Sequence, residues 1–260
     1  MKKTAGKRLS FLVTLALSAG LGTAVHPSSA CAAEINVTTD RTADVDGGAA
    51  NGNKVTIGTK GGGKHPVIEG NIIGGSATDA AKNLVDIKSV LLEAPHAVYG
   101  GRGAASATEN TVNFAGGKVT SIYGGYTEGA GAVTKNTVQV TGGTATGDFT
   151  TGGYAAEHTT GAVQENTATM HSGQAESLVG GISFGSGDVT KNVTKLFGGT
   201  IRYMLGGFSM EGTAANNTAD ITGGTVTDVV YGANVRGNGA AKRNKVNLTS
   251  GTTAGIIGGL

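Results

Sequence analysis

The stretch Asn110–Lys135 reads NTVNFAGGKVTSIYGGYTEGAGAVTK, and its pattern returns at Asn217–Arg243 as NTADITGGTVTDVVYGANVRGNGAAKR. Within the first copy, Val112 and Phe114 alternate with polar Thr111 and Asn113. A period of two gives a strand with one buried and one solvated face. Gly116-Gly117 then supplies a turn, because glycine adopts positive φ without strain. A second short strand follows over Lys118–Tyr123. Gly124-Gly125 is read as a second turn, and the polar run Thr127–Lys135 as the closure that returns the chain to the next Asn.

Three markers repeat in phase along the chain. The first is an apolar or Tyr-containing step into Gly-Gly, ending at Gly75, Gly101, Gly125, Gly153, Gly181, Gly207, Ala233 and Gly259. Successive intervals are 26, 24, 28, 28, 26, 26 and 26 residues. The second is an Asn opening a Thr/Val-rich strand, at Asn53, Asn83, Asn110, Asn136, Asn166, Asn192, Asn217 and Asn244. The third is the Gly-Gly or Ser-Gly that closes the later strands, from Gly116-Gly117 to Ser250-Gly251. One unit buries too little to stand alone, so the units must stack. The expected fold is all-β: a right-handed β-helix-like solenoid of about eight repeats of about 26 residues, with Asn side chains laddering at a fixed corner. A propeller blade needs a longer repeat, and the Leu ladder of leucine-rich repeats is absent. A β-prism or trimeric β-roll remains open as an alternative.

Composition agrees with a narrow core. Of 260 residues 47 are Gly and none is Trp, with 6 Phe and 3 Pro, so there is no collagen period and little bulk for a wide interior. The N-terminus carries Lys2, Lys3, Lys7 and Arg8, an apolar run over residues 9–25, and small residues around Ala30 and Ala32. Residues 1–32 are therefore expected to be a secretory signal peptide. Cys31, the single cysteine, leaves a lipoprotein signal as the alternative. Removing the four basic residues of that segment leaves 16 basic against 18 acidic, no surplus for nucleic acid. Residues 33–52 are expected to be an N-terminal cap or degenerate repeat. Residues 53–260 are expected to be the tandem-repeat solenoid, truncated at the C-terminus because the chain stops inside the motif at Leu260. Its open strand edge suggests homotypic end-to-end association.

The quoted units resemble the repeats of passenger regions in autotransporter-type adhesins of Gram-negative-type bacteria, over roughly residues 45–260. The resemblance implies export, display of a β-helix outside the cell, and roles in adhesion, aggregation or biofilm formation. It also implies a C-terminal outer-membrane β-barrel, which this sequence lacks, so a separate or missing barrel is expected.

The chemistry-bearing residues form no motif. His65, His96, His158 and His171 fall in different units without ligand spacing. Asp148, Glu157, Glu165, Glu176, Asp188, Glu211, Asp220 and Asp228 are dispersed. Glu109 and Glu165 alternate with Lys135 and Lys191 before the repeat Asn, which reads as surface charge pairing between rungs. Gly61-Gly62-Gly63-Lys64 lacks the frame of a phosphate loop, and Gly185–Asp188 is a weak echo of a calcium nonapeptide. No catalytic residue, cofactor site or metal site is expected, and the protein is read as no enzyme. Tyr99, Tyr123, Tyr154 and Tyr231 beside the Gly-Gly marker, with Tyr126 after it and Met204-Leu205 in the equivalent region near Tyr203, form a stacking ladder or a contact stripe.

The functional expectation is a non-enzymatic surface or secreted adhesin-like passenger segment. It would present loops on a rigid rod to a host or bacterial surface protein, a glycan or itself, in the periplasm if no barrel anchors it. The alternatives are a structural self-associating envelope protein and a β-helix glycan-cleaving enzyme.

Overall fold

The structure is a computed structural model and describes residues 31–92 and 95–260. Nearly all of the expected signal peptide over 1–32 lies outside the described residues. The described chain is a parallel β-solenoid of about eight turns, about 26 residues apart, with no α-helix among the described residues. All strand pairs in the ladder are parallel, each strand pairing with its counterpart one rung away.

Each rung has three sides. The first is the Asn-led strand, as in Thr111–Phe114, Thr137–Val140 and Thr167–Met170. Val112 stacks on Val85 and Val138, and Phe114 on Ile87 and Val140. All of these are buried and belong to one apolar column running from Val37 to Val230. A second column of small residues, including Ala107, Val133, Val163, Val189 and Ala214, lies under the short third side. Small β-branched residues and Ala suit both, because adjacent rungs approach to about 4.8 Å. Residues 33–52 also pair in register, Glu34–Val37 lying against Lys54–Ile57 and Val45–Asp46 against Ile72–Ile73.

The Asn ladder is continuous. Asn166 Oδ1 accepts both the backbone N–H and the side-chain amide of Asn136, each at 2.9 Å. Asn166 in turn donates its own backbone N–H (2.9 Å) and its amide (3.0 Å) to Asn192 Oδ1, and its amide also to the Val133 carbonyl at 2.9 Å. The same arrangement links Asn83, Asn110, Asn136, Asn192, Asn217 and Asn244. Full pairing makes a buried polar residue tolerable at every turn.

The residue before each ladder Asn, expected to serve as surface charge, also has a backbone role. Lys82, Glu109, Lys135, Glu165, Lys191, Asn216 and Arg243 all adopt positive φ, between 51° and 59°. This left-handed residue swings the chain so that the next Asn points inward. Pairing between these charges is weak; Lys191 and Glu165 approach to 3.9 Å while largely exposed.

The two glycine markers, both expected to be turns, differ in the structure. The pair after the first side does turn, its second Gly having positive φ, as at Gly143 (80°). The Tyr-Gly-Gly pair does not. The strand Ile122–Thr127 continues through Gly124-Gly125, and neither glycine has positive φ. Space is the reason for glycine here: a Cβ on Gly124 would lie 2.4 Å from the Gly152 carbonyl oxygen, and one on Gly125 would lie 2.4 Å from the amide of Asn136. Backbone therefore presses directly on the Asn ladder. The expected closing loop is not all loop: Val133–Thr134 within it pairs with Val163–Gln164 and forms the third side of the rung.

An external aromatic groove as candidate site

The glycine pair also breaks the alternation of the strand that contains it. In Ile122–Thr127 the half-exposed positions are Tyr123 and Tyr126, with two buried glycines between them. The backbone dips toward the ladder, and the side chains flanking the dip converge outside it. Tyr123 and Tyr126 meet at 5.5 Å between ring centroids. Stacked from rung to rung, this geometry makes two facing columns along the axis. One contains Ile73, Tyr99, Tyr123, Thr151, Val179, Leu205 and Tyr231. The other contains Ser76, Arg102, Tyr126, Tyr154, Ile182, Phe208 and Asn234.

In the N-terminal half the tyrosines fill the dip. Tyr99 stacks on Tyr123 at 5.2 Å and Tyr126 on Tyr154 at 5.2 Å, with interplanar angles of 17° and 10°. Edge contacts interlock the two stacks at 5.1 and 5.3 Å. Arg102 caps the cluster over Tyr99 and Tyr126 and reaches Glu128 at 3.3 Å, while Tyr126 donates to Glu128 at 3.1 Å. Burial pushes the Tyr123 phenol up to about 12. Burial, and secondarily the Glu128 charge, raises Tyr126; burial and then Tyr123 raise Tyr154.

Further along, smaller residues occupy the columns and the dip opens. Val179, Ile182 and Leu205 form its floor, and Phe149, Phe184 and Phe208 line it with half-buried rings. Phe184 lies 5.9 Å from Phe149, 5.5 Å from Tyr154 and 5.4 Å from Phe208. The hollow measures about 500 Å³, with Asp148, Glu176, Tyr203, Asn234 and Arg236 among the residues at its rim. Glu176 accepts from Arg202 at 2.9 Å, and Asp228 lies 3.7 Å from the same guanidinium. Arg202 also covers the Tyr203 ring at 4.7 Å and Arg236 the Phe208 ring at 5.7 Å.

Of the tyrosine stripe read from the sequence, Tyr99, Tyr123, Tyr126 and Tyr154 form a stacked cluster, with Tyr154 in the column of Tyr126, while Tyr231 lies apart from it beyond Thr151, Val179 and Leu205. Met204 is not part of the stripe: that side chain is fully buried in the main column, while Leu205 takes the outward place. Phe149, Phe184 and Phe208 went unread. Phe208 follows Gly206-Gly207 just as Tyr126 and Tyr154 follow the residue pairs of their own rungs, so its register was legible. Phe149 and Phe184 lie away from the Asn and glycine markers, at positions that other rungs fill with residues such as Ser177 and Met210. Of the dispersed acids, the fold gathers Glu176 and Asp228 around Arg202. Asp188 and Asp220 instead accept from Thr213 N–H and the Asn247 amide. His171 stacks on Phe197 at 4.8 Å, His65 meets Ser89, and His158 sits in a turn with φ of 63°. Among the described residues no group of three or more His, Cys, Asp or Glu is placed to hold a metal ion, and no helix is long and apolar enough to cross a membrane.

Fold and surface together define a parallel β-solenoid with an axial aromatic groove on its exterior. Searches of protein-family models, of curated proteins and of solved structures find no match to this chain.

Proposed function

We propose that this protein is a non-enzymatic, exported, adhesin-like passenger segment that makes contact with a cell surface through one face of a rigid rod. The observation that carries this reading is the groove itself. Half-buried aromatic rings are held outside the core, touching from rung to rung, on a scaffold whose backbone is paired on both sides. Aromatic residues rimmed by charged and amide groups are the usual material of recognition surfaces. The N-terminal Lys/Arg cluster followed by an apolar run supports export, and the repeat style supports the passenger class. Its contact surface is a fixed relief requiring no loop closure, so binding proceeds with little ordering cost.

Protease shaving of intact native cells, followed by immunoblotting with antibody against the repeats, tests the placement. Loss of the repeat signal from intact cells, with a periplasmic marker preserved, is the expected result. A signal fully protected until the outer envelope is permeabilised would overturn surface display.

A further inference from the structure

We propose that the open part of the groove, from Phe149 to Tyr231, binds an uncharged polysaccharide chain laid along the solenoid axis, with one pyranose unit per rung. The assignment rests on the contact function proposed above and specifies its ligand.

Size, chemistry and period agree. The hollow of about 500 Å³ lies within the roughly 300–1,000 Å³ typical of ligand sites. Its aromatic faces, Phe149, Phe184 and Phe208, suit the C–H faces of a pyranose ring. Its rim offers carboxylate acceptors at Asp148 and Glu176, and donors at Arg236 and Asn234, for the equatorial hydroxyls. Phe184 and Phe208, on neighbouring rungs, are 5.4 Å apart between ring centroids, close to the rung spacing and to the length of one sugar unit.

The same features disfavour other occupants. An extended peptide recognised by strand addition needs a free strand edge. The strands beneath this groove, Thr150–Ala155, Gln174–Ser183 and Thr200–Ser209, are already paired with neighbours on both sides. Anionic polymers meet the wrong charge: Asp148 and Glu176 line the hollow, and Arg202, over the rim residue Tyr203, is engaged by Glu176 and Asp228. The tyrosines that fill the dip between Tyr99 and Tyr154 close the groove at one end. The ligand-contacting length is therefore the four rungs of Phe149, Ile182, Phe208 and Asn234, enough for four sugar units at one per rung.

The test is titration calorimetry of the purified full chain against size series, disaccharide to hexasaccharide, of neutral gluco-, manno-, xylo- and N-acetylglucosamine oligosaccharides, with oligogalacturonates as the anionic comparison. Affinity is expected to rise about tenfold from disaccharide to tetrasaccharide in at least one neutral series and then level off. Phe184→Ala and Tyr203→Ala are expected to weaken binding about tenfold or more, whereas Tyr126→Ala, on the same face but outside the hollow, binds as the parent does. Circular dichroism confirms that each variant is folded, and Tyr203→Ala on the rim carries the test if Phe184→Ala does not fold. Absence of saturable binding to every neutral series, preference for the oligogalacturonates, or equal loss in Tyr126→Ala would overturn the assignment. Cell-surface shaving is read separately. A displayed protein that ignores all the sugars removes the groove's ligand and leaves surface contact standing. A sugar-binding protein that is protected inside the cell does the reverse.

Discussion

At the scale of single residues, the Asn at the corner of each rung carries more of the fold than its polarity suggests. Asn166 satisfies four partners: Asn136 N–H, the Asn136 amide, the Val133 carbonyl and Asn192 Oδ1. Replacing it with Ala leaves the buried Asn136 N–H without its acceptor and removes three further hydrogen bonds from the ladder. Asn166→Ala is expected to lower stability by about 3 kcal/mol, read as a lower urea midpoint with an unchanged slope. Its predecessor gives an opposite prediction. Exposed Lys135 holds φ at 56°, a conformation that costs an L-residue roughly 1–2 kcal/mol and costs glycine little. Lys135→Gly is expected to raise stability by about 0.5–1 kcal/mol in the same assay, the gain being trimmed by glycine's larger unfolded-state entropy. The Asn ladder was legible because one residue type recurs in one place. The left-handed residue before it was not, because Lys, Glu and Arg carry no conformational signature; only Gly52 and Asn216 there belong to types that favour positive φ.

At the scale of the strand, glycine pairs that look alike in sequence do different things. Gly142-Gly143 reverses the chain, and Gly152-Gly153 carries a strand past a buried amide. Spacing could not separate them, since the difference lies in what the neighbouring rung places against each Cα. The consequence is the dip that gathers Tyr99, Tyr123, Tyr126 and Tyr154 into one cluster, whose phenols are raised chiefly by burial. A raised folded-state value means that the native state holds its protons more tightly than the unfolded chain. Stability is then unaffected below about pH 10 and falls as pH climbs from there through about 12. An alkaline titration followed at once by tyrosinate absorbance and far-ultraviolet circular dichroism is expected to show these tyrosines ionising together with loss of β-structure. Ionisation near pH 10 with the signal of the fold unchanged would contradict the burial seen here.

At the scale of the whole molecule, the solenoid could be read from sequence because two markers stay in phase over eight copies and a third over the last six, each demanding the same local geometry. The groove could not, because it depends on departures from the repeat: Phe149 and Phe184 are single occurrences, and the hollow opens only where Val179 and Leu205 replace Tyr. Since each rung touches chiefly its two neighbours, stability should be close to a sum over rungs. Deleting 110–135 joins Glu109 to Asn136, equivalent in phase to the original Lys135–Asn136 junction. The shortened chain is expected to fold with the same β-spectrum and a urea slope smaller by about one eighth. A chain that failed to fold would show that the rungs are not interchangeable.

The inter-rung hydrogen bonds, those of the Asn ladder included, all run along the axis. Tension applied to the two ends therefore loads the rungs in series, and each interface bears the whole force. Such a rod yields at its weakest rung first and then lengthens stepwise, each released turn of about 26 residues adding roughly 85 Å of extended chain. The molecule would act as a series of sacrificial links, lengthening under load while the rungs that remain folded keep their shape.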